Sequence, residues 1–171
     1  MGTCLFLHIS LNSNLEHSGT RQFFALATGK FYNFSLGCIP MVIGPYYFGM
    51  DQEKLFIYYD RLAKEAGGDI YLYSYPPRTG HSLEPQTISK LVRNNPNIKG
   101  IKESISEPNH TNLICRAVEG CDFTVYSGYD DQFLTNAANG GGGCIGAFSI
   151  IVPELWSDLI GAYNQKNFIS R

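Results

Sequence analysis

Lys102 stands near the end of the segment 97–103 (NIKGIKE), two places after Gly100. Alternate residues of a strand share a face, so the glycine and the lysine point the same way. If that way is a barrel interior, the ammonium stands in a tight, partly dry space. Desolvation disfavours the charged amine and lowers its pKa, and a neutral amine attacks a ketone to form an imine. A lysine at a strand end is equally an ordinary surface residue, so Lys102 alone decides nothing. Tyr73 lies in an aromatic segment, 69–75 (DIYLYSY), with Tyr71 and Tyr75 on the same face. A phenol near a lysine relays protons during imine formation, although three tyrosines on one face also read as packing. Arg78 follows in PPRTG, where prolines and Gly80 stiffen the turn. A guanidinium held that way grips a carboxylate through two parallel bonds; otherwise it is a solvated surface group. Tyr46 and Tyr47, after Pro45, are proton donors or packing residues by the same reasoning.

Other chemistries find little support. The run NGGGGCIG contains a GxGxxG match at Gly141, Gly143 and Gly146. A dinucleotide fingerprint follows a strand and opens a helix, whereas this one precedes a strand. The glycines are better read as letting the backbone turn tightly into the next element. His8, His17, His81 and His110 have no ligand spacing, and five cysteines include no CxxC pair, so neither a metal nor another cofactor is expected. The cysteines read as reduced thiols of a cytoplasmic protein. The two sequons, at Asn33 and Asn109, are then chance matches.

These residues need elements to hold them, and the pattern supplies them. Segments 40–47, 69–75, 97–103, 123–127 and 144–150 read as strands. Segments 52–66, 83–94, 109–118, 130–139 and 154–165 read as helices, with apolar stripes at helical spacing and Gly67-Gly68 stopping the first. Five alternations of strand and helix mean parallel strands with crossover helices. The candidate residues all fall at C-terminal strand ends, where barrel enzymes keep their chemistry. Residues 1–24 stay outside this pattern as an unassigned segment, with a weak helical reading for 23–36 interrupted by Gly29.

The chain has 171 residues, 44% hydrophobic and 16% charged, with a formal net charge of −2. That suffices for one domain with a core. Without a basic surface, neither nucleic acid nor a membrane is an expected partner. No apolar stretch approaches the ~20 residues of a membrane helix, and the N-terminus lacks the basic lead-in of a signal peptide.

Taken in order, MVIGPYY (41–47), LYSYPPRTG (72–80), IKGIKES (98–104), YSGYDD (126–131) and GGGGCIGAFS (140–149) resemble the family of dihydrodipicolinate synthase and N-acetylneuraminate lyase. The resemblance runs from about residue 25 to the end, and the pair YxxPxRTG and GIK is its most specific part. It implies an α/β fold: a partial (β/α)8 TIM barrel over 25–171, roughly strands four to eight with their helices. It implies class I, Schiff-base chemistry between pyruvate and an aldehyde, or the reverse cleavage of a keto-sugar acid. By position, Lys102 matches the Schiff-base lysine and Tyr73 the relay tyrosine. Tyr47 matches the tyrosine lent across a dimer, Arg78 the arginine at the pocket mouth, and Ile145 a residue whose carbonyl lines the pyruvate pocket. A homo-oligomer, dimer or tetramer, is implied too.

The sequence departs from the family pattern in two ways. Ser74 stands where asparagine often follows the relay tyrosine, and KESISEPNHT with GYDD leans toward the 2-keto-3-deoxy sugar acid aldolases. A whole barrel of this kind takes about 250 residues. Its first three strands, with a Gly-Thr-Thr segment that holds the pyruvate carboxylate, have no counterpart in 1–24. A second reading is therefore an impaired fragment that acts, if at all, by pairing its strand edges with another chain. A nucleotide-binding half-Rossmann module, resting on the glycine run alone, is a third.

Overall fold

Parallel strands covered by helices bury both faces, and PMVI, IYLYS, IKGIKE and TVYS carry bulky apolar side chains on both. The computed structural model describes residues 9–10, 23–24, 39–46 and 49–166. Among these residues, seven strands form one sheet: β1 (Ile9–Ser10), β2 (Phe23–Phe24), β3 (Pro40–Ile43), β4 (Ile70–Ser74), β5 (Ile98–Glu103), β6 (Thr124–Ser127) and β7 (Gly143–Cys144). The spatial order is β1-β7-β6-β5-β4-β3-β2. Strands β2 to β7 run parallel, and β1 joins β7 antiparallel. The backbone of Ile9–Ser10 and Phe23–Phe24 thus lies along the two flanks of the five-strand parallel sheet.

The helices alternate with these strands. They are α1 (Gln52–Glu65), α2 (Pro76–Thr79), α3 (Pro85–Asn94), α4 (Pro108–Ala117), α5 (Phe133–Ala138), α6 (Phe148–Ile151) and α7 (Pro153–Asn164), with a 3-10 turn at Asp130–Gln132. Asp51 starts α1 by accepting the Lys54 N–H at 2.8 Å, and Gly67, at φ 71°, turns the chain out of it. α3, α4 and α7 each open on a proline, which suits the first helical turn because no N–H is lost there.

The sheet has a helix side and an inner side. On the helix side, Val42, Leu72, Ile98, Ile101 and Val125 pack against Leu55, Tyr59, Ile88, Leu91 and Ile114. Each such fully buried aliphatic side chain contributes roughly 1.5–3 kcal/mol. On the inner side, Met41, Tyr73, Tyr126 and Ile145 form a smaller, aromatic cluster. The two sides are kept in phase by a register shift: Ile70 faces Ile98, but Tyr71 faces Gly100, leaving Lys99 as the extra residue.

Two segments differ from the sequence reading. The expected strand 144–150 ends at Cys144, and Phe148–Ile151 forms α6 instead. The cause is Asp130, whose carboxylate accepts the N–H groups of Ala147 (2.9 Å) and Phe148 (3.1 Å) and so starts a helical turn. The strand expected over 40–47 ends at Ile43, before Gly44 and Pro45. Phe23–Phe24 is extended, and the rest of the helix read over 23–36 lies outside the described residues.

Candidate active site

The inner face presents one row of residues across four strands. Tyr73 faces Lys102, Lys102 faces Tyr126, and Tyr126 faces Gly143. The row beneath it holds Tyr71, Gly100 and Thr124. Gly100 has no side chain because there is no room for one: a Cβ would collide with the Tyr71 ring and with the Thr124 carbonyl. The floor under Lys102 is therefore an aromatic ring, itself packed against Tyr126 at 5.9 Å between centroids.

Lys102 is only 6% exposed. Its Nζ lies 4.8 Å from the centroid of the Tyr73 ring. Burial pushes the amine below the ordinary lysine range, while the thiol of Cys144 and the carboxylate of Asp130 pull it back. The ring face also favours the ammonium, by about 1–2 kcal/mol when desolvated, and so opposes the effect of burial. Tyr73 is pushed up by burial, partly opposed by the Ser104 hydroxyl, so the phenol keeps its proton at neutral pH. Tyr126 is pushed up further by burial and the neighbouring Tyr71. Cys144 is pushed up to about 12, first by burial and then by Asp130, which makes it a poor nucleophile. What this face offers is a poorly hydrated amine beside protonated phenols.

The other candidates fall as follows. Ile145 is buried in the same cluster as Tyr73 and Tyr126, and its N–H donates to the Ser127 carbonyl at 2.8 Å. Arg78 stands exposed on the single turn α2, at the same strand end. That turn is fixed by Gly80 at φ 74°, whose N–H donates to Pro76, and by the Thr79 hydroxyl within reach of the Tyr75 and His81 carbonyls. Tyr47 lies outside the described residues. The amides of Gly140, Gly141 and Gly142 donate to the carbonyls of Ala137, Asn136 and Val125. They are committed to the chain's own backbone, unlike the amides of a phosphate cradle. Among the described residues, no group of His, Cys, Asp and Glu could hold a metal ion, and no helix is long and apolar enough to cross a membrane.

Three residues escaped the reading from sequence. Ser104, 2% exposed, packs on Gly128 and meets the Tyr73 phenol. Asp130 shapes the turn after β7. Glu103, next to the lysine but on the helix side, is 1% exposed and close to Ser74 and His110. The alternation that turns Lys102 inward turns Glu103 toward the helices, and this was the available signal.

A family model described as the dihydrodipicolinate synthetase family matches residues 32–169. The chain belongs to that family. Within the dihydrodipicolinate synthetase family, a probable 2-dehydro-3-deoxy-D-pentonate aldolase of Escherichia coli K12 is 33% identical over 127 residues, covering 73% of this chain and 42% of the relative. A 4-hydroxy-tetrahydrodipicolinate synthase of Acidobacterium capsulatum is 36% identical over 129 residues, 75% of this chain and 42% of the relative. Among solved structures, a prophage protein of the dihydrodipicolinic acid synthase family from E. coli K12, in complex with pyruvate, superposes with a TM-score of 0.73 at 30% identity. That match covers 78% of this chain and 46% of the other. The Thermotoga maritima dihydrodipicolinate synthase gives a TM-score of 0.72 at 29% identity, over 79% and 47%. The chain spans less than half the length of these relatives, and its α/β sheet is the corresponding part of their barrel.

Proposed function

We propose that this chain carries the amine-bearing part of a class I pyruvate lyase or aldolase, making or breaking a C–C bond between pyruvate and an aldehyde. The observation that carries the proposal is Lys102, buried on the inner face with its nitrogen 4.8 Å from the Tyr73 ring centroid. In the synthetic direction the neutral amine adds to the keto carbon, and the carbinolamine hydroxyl takes up a proton and leaves as water, which gives an iminium ion. A proton leaves the pyruvate methyl group, and the iminium becomes an enamine. Its terminal carbon then forms the new bond to the aldehyde carbon while the aldehyde oxygen takes up a proton. Water hydrolyses the resulting iminium, releasing the keto acid and restoring the amine. The reverse sequence cleaves a keto-sugar acid.

In this reading Tyr73 moves protons at the amine, helped by Tyr47 from a second copy of the chain in a homo-oligomer. The Ile145 carbonyl lines the pyruvate pocket, and Arg78 meets the acidic group of the acceptor or sugar acid. No metal or organic cofactor takes part, and the compartment is the cytoplasm. The relative described as a 2-dehydro-3-deoxy-D-pentonate aldolase and the solved relative holding pyruvate both favour this chemistry. Borohydride reduction in the presence of pyruvate tests it, with peptide mass spectrometry as the readout. A reduced adduct on Lys102 is expected. Absence of any adduct, under conditions where a full-length relative is trapped, overturns the proposal.

A further inference from the structure

Behind the amine lies a polar cluster that the proposed chemistry does not use. Glu103 follows Lys102 on β5 and faces the helix layer, where it is 1% exposed. Its Oε1 lies 3.7 Å from Nδ1 of His110 on α4, just beyond hydrogen-bond reach. Both carboxyl oxygens, the His110 Nδ1 and the Ser74 hydroxyl are buried and make no hydrogen bond of full geometry, although the Ser74 hydroxyl stands close enough to the carboxyl to favour its ionised form. The titratable and charged groups around this pocket come from each packed element. They are Tyr59 on α1, His110 on α4, and Glu107 and Glu84, which precede α4 and α3 and act on His110. Among the described residues on the helix side, neither lysine nor arginine appears among these groups, so an ionised Glu103 would be a buried anion beside a histidine whose protonation burial disfavours.

We propose that Glu103, seated between Ser74 and His110, is a positioning residue that governs Lys102: while uncharged it lets the amine shed its proton, and on ionising it holds Lys102 as the ammonium. This rests on Lys102 being the imine-forming amine, but the control itself needs only the shared strand. Two adjacent residues on opposite faces of β5 are separated by a water-poor sheet, where a charge is poorly screened. Burial pushes the Glu103 carboxyl up to about 8, with the Ser74 hydroxyl pulling the other way. The device would therefore act at mildly alkaline pH.

The test is an NMR titration of the intact chain with isotope-labelled lysine, the Lys102 side-chain signal being assigned with a Lys102→Arg variant. The Lys102 midpoint in Glu103→Gln is expected about one pH unit below that of the wild type, the size of one poorly screened charge. The wild type alone is expected to show a second inflection near pH 8. Ser74→Ala, which keeps the carboxyl but removes its neighbouring donor, is expected to move that inflection to higher pH and carries the test if the glutamine variant does not fold. Coincident Lys102 curves in wild type and Glu103→Gln, or an inflection unmoved in Ser74→Ala, overturn the proposal. Pyruvate trapping is separate: a shifted Lys102 titration without an adduct overturns the lyase reading and leaves the control by Glu103 standing.

Discussion

Lys102 and Tyr73 occupy facing positions on adjacent parallel strands, with the amine nitrogen 4.8 Å from the ring centroid. The ring screens the amine from water, and the hydroxyl is the part that would exchange protons. Tyr73→Phe keeps the first and removes the second. In an assay of lyase or synthase turnover, kcat is expected to fall by roughly 10²- to 10⁴-fold, the usual worth of a proton-transfer group. The melting temperature should change little. A variant retaining wild-type turnover would remove Tyr73 from the mechanism.

Arg78 lies on α2 with its side chain exposed, and the turn is fixed by the backbone of Gly80 and by Thr79. Arg78→Ala should leave the fold intact. It should raise KM for an acidic acceptor or sugar acid about tenfold or more, as expected for a lost bidentate contact, with pyruvate adduct formation at Lys102 unchanged. An unchanged KM would show that Arg78 does not meet the substrate.

Gly100→Ala would drive a methyl group into the Tyr71 ring and the Thr124 carbonyl. The backbone carbonyl belongs to the neighbouring strand and has little room to yield. A loss of about 1–3 kcal/mol is expected in denaturant unfolding, as for other overpacked sites. Because Tyr71 is the floor under Lys102, pyruvate adduct formation should slow as well.

Glu103 gives stability a pH dependence with a defined sign. Its carboxyl is raised from 4.5 to about 8 in the fold by burial, so between those values the folded chain binds more protons than the unfolded one. Stability is then full below about pH 4.5 and falls as pH rises to about 8. The total loss is on the order of 4 kcal/mol. Glu103→Gln cannot ionise and should lack this contribution. Calorimetry at pH 5 and pH 8 should show the wild-type melting temperature falling by roughly 10 °C more than that of the variant. Parallel curves would mean that Glu103 is already ionised in the fold.

Asp130→Ala removes the acceptor for the amides of Ala147 and Phe148. A cost of about 1 kcal/mol is expected, with faster hydrogen exchange at those two amides as the direct readout.

The parallel sheet and its helices were legible in the sequence because period-2 and period-3.6 patterns alternate cleanly from residue 40 onward. The boundaries of α1, α3, β5 and α7 fall within about two residues of the expected ones, since Gly67 and the prolines at 85 and 153 mark them. The segment after β7 was not legible. CIGAFSI has the composition of a buried strand, and what bends it into α6 is Asp130, fourteen residues before Cys144. Among candidate residues, Lys102 and Tyr73 lie on the inner face, and Ile145, named only through the family resemblance, is buried in the same cluster as Tyr73. Glu103 was passed over because a glutamate at a strand end looks solvent-facing until the helices that cover it are in place.

The single extra residue at Lys99 decides what the strand after it can do. Counted along an unbroken zigzag, Ile98 and Lys102 would lie on the same side, yet Ile98 packs against the helices and Lys102 sits over Tyr73. That half-step behaves as a phase setting for everything downstream: undo it, and either the isoleucine loses its place among the helices or the lysine nitrogen and the neighbouring carboxyl exchange compartments. An insertion or deletion at this point would thus convert one kind of protein interior into the other without altering any of the side chains on either face.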